Sequence, residues 1–143
     1  TQWKLQIVGQ GELLDAYLDF IAVHNLENSV QILKPSVDVA QFYKSASVFV
    51  LTSKSEGFGM VLLEAISFGL PCVSFDCPAG PRDMINDQNG FLIGLNDEIA
   101  LKNTLLDLIT KPGLHKRLGE QAYIDSVNWQ DENILKLWLQ ILN

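Results

Sequence analysis

Ser55-Glu56-Gly57-Phe58-Gly59-Met60-Val61-Leu62-Leu63-Glu64-Ala65 sets two carboxylates around a Gly-Phe-Gly turn, directly after the apolar run Ser47-Val48-Phe49-Val50-Leu51. The run reads as a buried strand. Gly59 to Phe68 reads as a helix closed by Gly69 and Pro71. A glycine turn between strand and helix leaves backbone N–H groups free at the positive end of the helix. That is a setting for phosphate.

Outward from this stretch the chain alternates strands and helices. Lys4 to Val8 is a strand, followed by the turn Gly9-Gln10-Gly11 and a helix from about Glu12 to His24. That helix carries Leu13, Leu14, Tyr17, Leu18 and Ile21 on one stripe, as a helix packed on a sheet does. Val30 to Leu33 is a short strand ending at Lys34-Pro35, and Asp38 to Ser45 is a short helix with Val39, Phe42 and Tyr43 inward. After the central helix come a strand at Cys72 to Phe75, a single turn at Arg82 to Ile85 and the turn Asn86 to Gly90. Phe91 to Gly94 is a last strand. One helix starts at Asn96, Asp97 or Glu98, a second opens at Pro112 and runs towards Ser126, and Trp129 to Leu142 is a final amphipathic helix.

Strands apolar on both faces, alternating with helices, predict a parallel α/β sheet. The expected fold class is therefore Rossmann-like, with helices on both faces. Ligands in such sheets bind beyond the carboxyl ends of the strands. The loops Gly9–Gly11, Lys34–Ser36, Thr52–Gly59 and Asp76–Pro81 are thus expected at one edge. The chain opens directly on a strand with no basic leader, which suggests a non-secreted piece of something longer.

Composition narrows the function classes. At 143 residues, 48% hydrophobic and 19% charged, the chain can bury a core, and it has no apolar run long enough for a transmembrane helix. The net charge of −7, without a cluster of Lys and Arg, argues against nucleic acid and against membrane docking through this part of the chain. Cys72 and Cys77 lack a neighbouring His, so they read as buried or half-buried thiols and no metal is expected.

Several site chemistries fit poorly. G-x-G-x-x-G fails at Leu14, and the strand ending in Lys34-Pro35 offers no acidic residue for a ribose, so a nicotinamide cofactor is not expected. A glycosidase pair sits roughly 5–10 Å apart, whereas eight fully helical steps span about 12 Å. His24 and His115 fall on predicted helices with no nucleophile elbow and read as surface residues. A receiver domain is excluded because no acidic cluster ends the first strand. Glu64 is harder to dismiss. Among Val61, Leu62, Leu63, Ala65 and Ile66 a carboxylate needs donors, and two ribose hydroxyls suit it. The bland alternatives are a narrow solvent stripe for Glu64, and for Glu56 an acid favoured by the helix dipole, worth up to about 1 kcal/mol.

The Glu56-to-Glu64 segment resembles the E-x7-E signature of the retaining glycosyltransferases of the family 4, or group 1, type with the GT-B fold. The likeness extends to Ile7-Val8-Gly9-Gln10-Gly11, Phe42-Tyr43-Lys44-Ser45-Ala46, Gly69-Leu70-Pro71-Cys72-Val73, Asp87-Gln88-Asn89-Gly90-Phe91-Leu92 and the Trp129 region. The resemblance implies the C-terminal, donor-binding half of an enzyme that moves a sugar from a nucleotide diphosphate sugar to an acceptor glycan or lipid-linked glycan. Glu56 would be the catalytic contact to the donor sugar. Gly57, Phe58, Gly59 and Met60 would meet the diphosphate and Glu64 the ribose, with Gly9, Leu33 and Lys34 also on the donor side. It further implies a metal-independent, cofactor-free and cytoplasmic enzyme, which touches the inner membrane face, if at all, through its other half. The partner is then the N-terminal acceptor-binding domain, which carries the family's catalytic His. The family's initial strand, glycine-rich turn and helix with an Arg and a Lys for the phosphates have no match here, so the chain alone is expected to be inactive. A nucleotide-sugar epimerase of the same architecture and a non-catalytic binding module are the alternatives. Product analysis distinguishes the first, and the effect of Glu56→Ala on function the second.

Overall fold

The computed structural model describes residues 2–111 and 113–142. The chain divides into two compact units, Thr1–Gln41 and Phe42–Asn143.

In the first unit, β1 (Leu5–Val8) and β2 (Val30–Leu33) form a parallel pair in the register Leu5 to Val30 through Val8 to Leu33. The helix α1 (Leu14–Val23) connects them. The expected apolar stripe of α1 is mostly uncovered. Ile21 is buried, but Leu13, Tyr17 and Leu18 remain exposed. Two strands make a face about 10 Å wide, no wider than the helix itself, so the stripe overhangs it.

The second unit begins within α2 (Ala40–Ser45) and holds β3 (Phe49–Leu51), β4 (Cys72–Phe75) and β5 (Gly90–Ile93), parallel in the order β3-β4-β5. Every residue of the central β4 is buried, which accounts for a strand apolar on both faces. Its side chains alternate between two clusters. Cys72 joins Leu62, Ala65 and Ile66 of α3 (Met60–Ser67), together with Ala122. Val73 and Phe75 join Leu108 of α5 (Glu98–Thr110) and Leu118 of α6 (Leu114–Ser126). Parallel sheets with helices on both faces make the architecture Rossmann-like, as the strand and helix pattern predicts.

Helix ends follow local chemistry. Gly69 closes α3 at φ +71°, with its own N–H donating to the Ile66 carbonyl and the Leu70 N–H to that of Ala65, the Schellman arrangement. Asp97 starts α5 by accepting from the Ala100 N–H at 2.9 Å. The single turn expected near Arg82 is α4 (Pro81–Met84).

Three expectations need correction. Val39 precedes α2 and is exposed, whereas Phe42 and Tyr43 are half-buried as expected. Trp129 does not begin the last helix. It ends a 3₁₀ turn (Val127–Trp129), because Gln130 is extended, and α7 spans Asp131–Leu142 with Leu135, Trp138, Leu139 and Leu142 exposed. His24 follows α1 and is exposed, but His115 on α6 is half-buried rather than on the surface. The proposed opening of α6 at Pro112 lies outside the described residues. No described helix is long and apolar enough to cross a membrane.

Candidate functional site

The strongest constellation lies at the carboxyl ends of β3 and β4. From β3 the chain runs through Glu56 and the Gly-Phe-Gly turn into α3, whose N-cap is Gly59 in the left-handed region at φ +86°. A glycine there provides no side-chain cap. The N–H groups of Met60 and Val61 accordingly meet no acceptor among the described residues, while those of Leu62 and Leu63 turn back to the Gly59 carbonyl. This end of the helix can take an anion.

The loop after β4 holds the turn from behind. Gly80 sits at φ +90°, and a Cβ there would overlap the Phe58 carbonyl, so only glycine allows this approach. The Glu56 N–H points to the Pro78 carbonyl at 3.5 Å, and the Phe58 ring meets Trp129 edge-on at 5.6 Å. Phe58 is thereby tied to the core, because Trp129 packs on the α3 cluster. From α4, which follows this loop, Arg82 grips Asp76 through two nitrogens, one of them at 2.9 Å. The Arg82 guanidinium bonds to the Asp76 carboxylate and holds it below the usual carboxylate range. With that partner, Arg82 is not a free cation for a phosphate.

Glu64 is half-buried on α3, not on an open solvent stripe. The Tyr43 hydroxyl donates to its Oε2 at 2.7 Å. Burial, followed by the hydrogen bond and the charge of Glu64, raises the Tyr43 phenol well above its ordinary range, so it stays a donor. Glu56 is also half-buried, in the turn before α3. Helical spacing between the two carboxylates therefore applies only from Met60 onward.

Glu56, Gly57, Phe58, Gly59 and Met60 thus lie in the turn and first position of α3, with Glu64 one turn further along that helix. Gly9, Leu33 and Lys34 lie in the first unit. The Gly9 N–H donates to the Leu33 carbonyl at 2.9 Å, so the ends of β1 and β2 meet, and Lys34 follows as an exposed side chain. Gly9 also lines a groove of about 500 Å³ with Ile7, Gln10, Leu14 and Tyr17. Among the described residues no cluster of three His, Cys, Asp or Glu could hold a metal ion.

Residues 1–125 match the family described as glycosyl transferases group 1. The chain belongs to this family. Among its relatives, the amylovoran biosynthesis glycosyltransferase AmsD of Erwinia amylovora is 38% identical over 141 residues, 99% of this chain. The chain spans only 40% of that protein's length. Solved structures agree on the fold. The pneumococcal O-GlcNAc transferase GtfA, in complex with UDP and GlcNAc, superposes with a TM-score of 0.84 at 29% identity. That match covers 96% of this chain and 28% of the other. For TarM from S. aureus, in a complex that includes UDP, the TM-score is 0.89 at 30% identity, covering 98% of this chain and 29% of that one. This group 1 glycosyl transferase chain therefore matches a part of each of these larger proteins.

Sequence reasoning missed two contacts in the site. In the sequence Tyr43 reads as an inward-facing residue of a short helix and as part of a family-like segment, and Trp129 as the start of the last helix, with no role in the site for either. The hydrogen bond to Glu64 spans 21 residues and leaves no local pattern. The one available hint is a tyrosine on the inward face of a helix, where its hydroxyl needs a partner.

Proposed function

We propose that this chain is the donor-binding part of a retaining glycosyltransferase of the family 4 type, which transfers a sugar from a nucleotide diphosphate sugar to an acceptor glycan or lipid-linked glycan. The observation that carries this reading is the start of α3. There Gly59 leaves backbone N–H groups uncapped, and a half-buried Glu64 stands about one turn further on. In this reading the diphosphate lies on the N–H groups, Glu64 accepts from the ribose and Glu56 contacts the donor sugar. The helix end and fixed N–H groups stabilise charge as it builds on the departing diphosphate. UDP in the complexes of two related structures is consistent with that ligand class. The acceptor side belongs to the rest of the longer polypeptide, so the reaction runs at full length and the chain alone is inactive. The enzyme works in the cytoplasm without metal or cofactor.

The test is an assay of the full-length protein with UDP-, GDP- and ADP-sugars, following release of nucleoside diphosphate and formation of a new glycosidic bond. Glu56→Gln should lower kcat by roughly 10²-fold or more, as removing a group that acts in the transition state does. An altered free nucleotide-sugar with no new glycosidic bond, or full activity in Glu56→Gln, would refute the reading.

A further inference from the structure

The most informative contact that the proposed reaction leaves unused is the one between Tyr43 and Glu64. The Tyr43 ring is fixed on two sides. It stacks on Phe68 with centroids 5.3 Å apart and planes 15° from parallel, and it meets Phe49 at 5.9 Å. Phe68, the C-cap of α3, follows Glu64 by four residues, so both project from one side of that helix. The ring therefore lies across the surface from which the carboxylate projects, and its hydroxyl reaches Oε2 at 2.7 Å. Among the described residues no other side chain donates to this carboxylate. A carboxylate has about four acceptor positions over its two oxygens, and Tyr43 takes one. The others stay available to a vicinal diol.

We propose that Tyr43 is a positioning residue for nucleotide recognition: its hydroxyl holds the Glu64 carboxylate in the orientation that receives the ribose hydroxyls. This rests on the reading above, in which Glu64 contacts the ribose. A glutamate on a helix has several rotatable bonds and would otherwise sample many orientations. The Tyr43 hydroxyl limits those orientations before the ligand arrives, so less freedom is lost on binding. The phenol donates to one carboxylate position and leaves the others to the ribose hydroxyls.

The experiment is calorimetric titration of the full-length protein with UDP, GDP and ADP, each beside its 2′-deoxy and 3′-deoxy forms. The readout is the ratio of the deoxy to the ribo Kd. A merely structural role for Tyr43 would weaken ribo and deoxy ligands alike and leave that ratio unchanged. The wild type should prefer the ribonucleotide by about tenfold or more, as expected for a hydrogen bond to a charged acceptor. Glu64→Ala should bring the ratio near one. Tyr43→Phe, which keeps the ring packing, should lower it by about three- to tenfold. A wild-type ratio in Tyr43→Phe, with the preference lost in Glu64→Ala, would overturn the role of Tyr43 alone. No ribose preference in the wild type, an unchanged ratio in Glu64→Ala, or no binding by any nucleotide would overturn the Glu64 reading and the role of Tyr43 with it.

Discussion

At the scale of single residues, environment separates the chemistry of the site from its scaffold. Glu56 and Glu64 are both half-buried carboxylates, but among the described residues only Glu64 has a side-chain donor, Tyr43. Cys72 has a purely structural environment. Burial alone pushes its thiol up to about 12, which keeps it protonated and inert at neutral pH. Its folded pKa lies above the unfolded value of 9.0, so the folded protein binds this proton more tightly. The resulting stabilisation is complete below about pH 9 and is lost as pH rises towards 12. Tyr43 acts in the same direction from pH 10 upward. Chemical denaturation at a series of pH values should therefore show stability falling across this alkaline range. Cys72→Ala should fall less steeply than the wild type, and an unchanged slope would mean that the thiol is not shielded as described.

At the scale of elements, one tight backbone approach shapes the site, and one buried hydrogen-bond network holds the elements behind it. Gly80 brings the loop after β4 against the Phe58 carbonyl, in a backbone conformation closed to other residues. Gly80→Ala should cost at least about 1–3 kcal/mol in strain alone, with displacement of the Gly-Phe-Gly turn adding to it. Thermal melts should show a lower Tm and nucleotide titrations a weaker Kd. A normal melt with wild-type binding would contradict this packing. Further along, Asn89 is buried and fully satisfied. It donates to the Met84 carbonyl at 3.0 Å and to Asp125 at 2.8 Å, and it accepts from the Asn86 N–H at 2.9 Å. Asp125 thus ties α6 to the turn before β5. Asp125→Ala leaves the Asn89 amide short of a partner and should cost about 1–3 kcal/mol, measurable by urea denaturation.

Much of this was legible in the chain. The Schellman glycine Gly69, the cap Asp97 and the turn at Asn86–Gly90 act through neighbours a few residues away, so their pattern survives in a linear reading. β4 declared itself by being apolar on both faces. The signature turn could be placed for the same reason, between a recognisable strand and a recognisable helix. The exposed stripe of α1 was not legible, because periodicity says which side chains share a face and not how much sheet is there to cover it. Nor were the approach of Gly80 to Phe58, the edge contact of Phe58 with Trp129 and the bond from Tyr43 to Glu64. Each joins segments distant in sequence, and each depends on where β3, β4 and α6 place their ends.

For the whole molecule, the proposed ligand is the nucleoside diphosphate part of a donor, held at the uncapped N–H groups at the start of α3. With a net charge of −7, the protein has little general attraction for a nucleoside diphosphate, so binding has to come from local geometry. In this chain affinity should be weak, because Arg82 is paired with Asp76. The most direct measurement is an amide proton–nitrogen NMR titration of the 143-residue chain with UDP, GDP and ADP in turn. Shifts should concentrate at Gly57 to Met60 and at Glu64 with one of the three, even at millimolar ligand. A well-dispersed spectrum in which these amides stay still with all three nucleotides, or in which the shifts gather elsewhere, would contradict the proposed site.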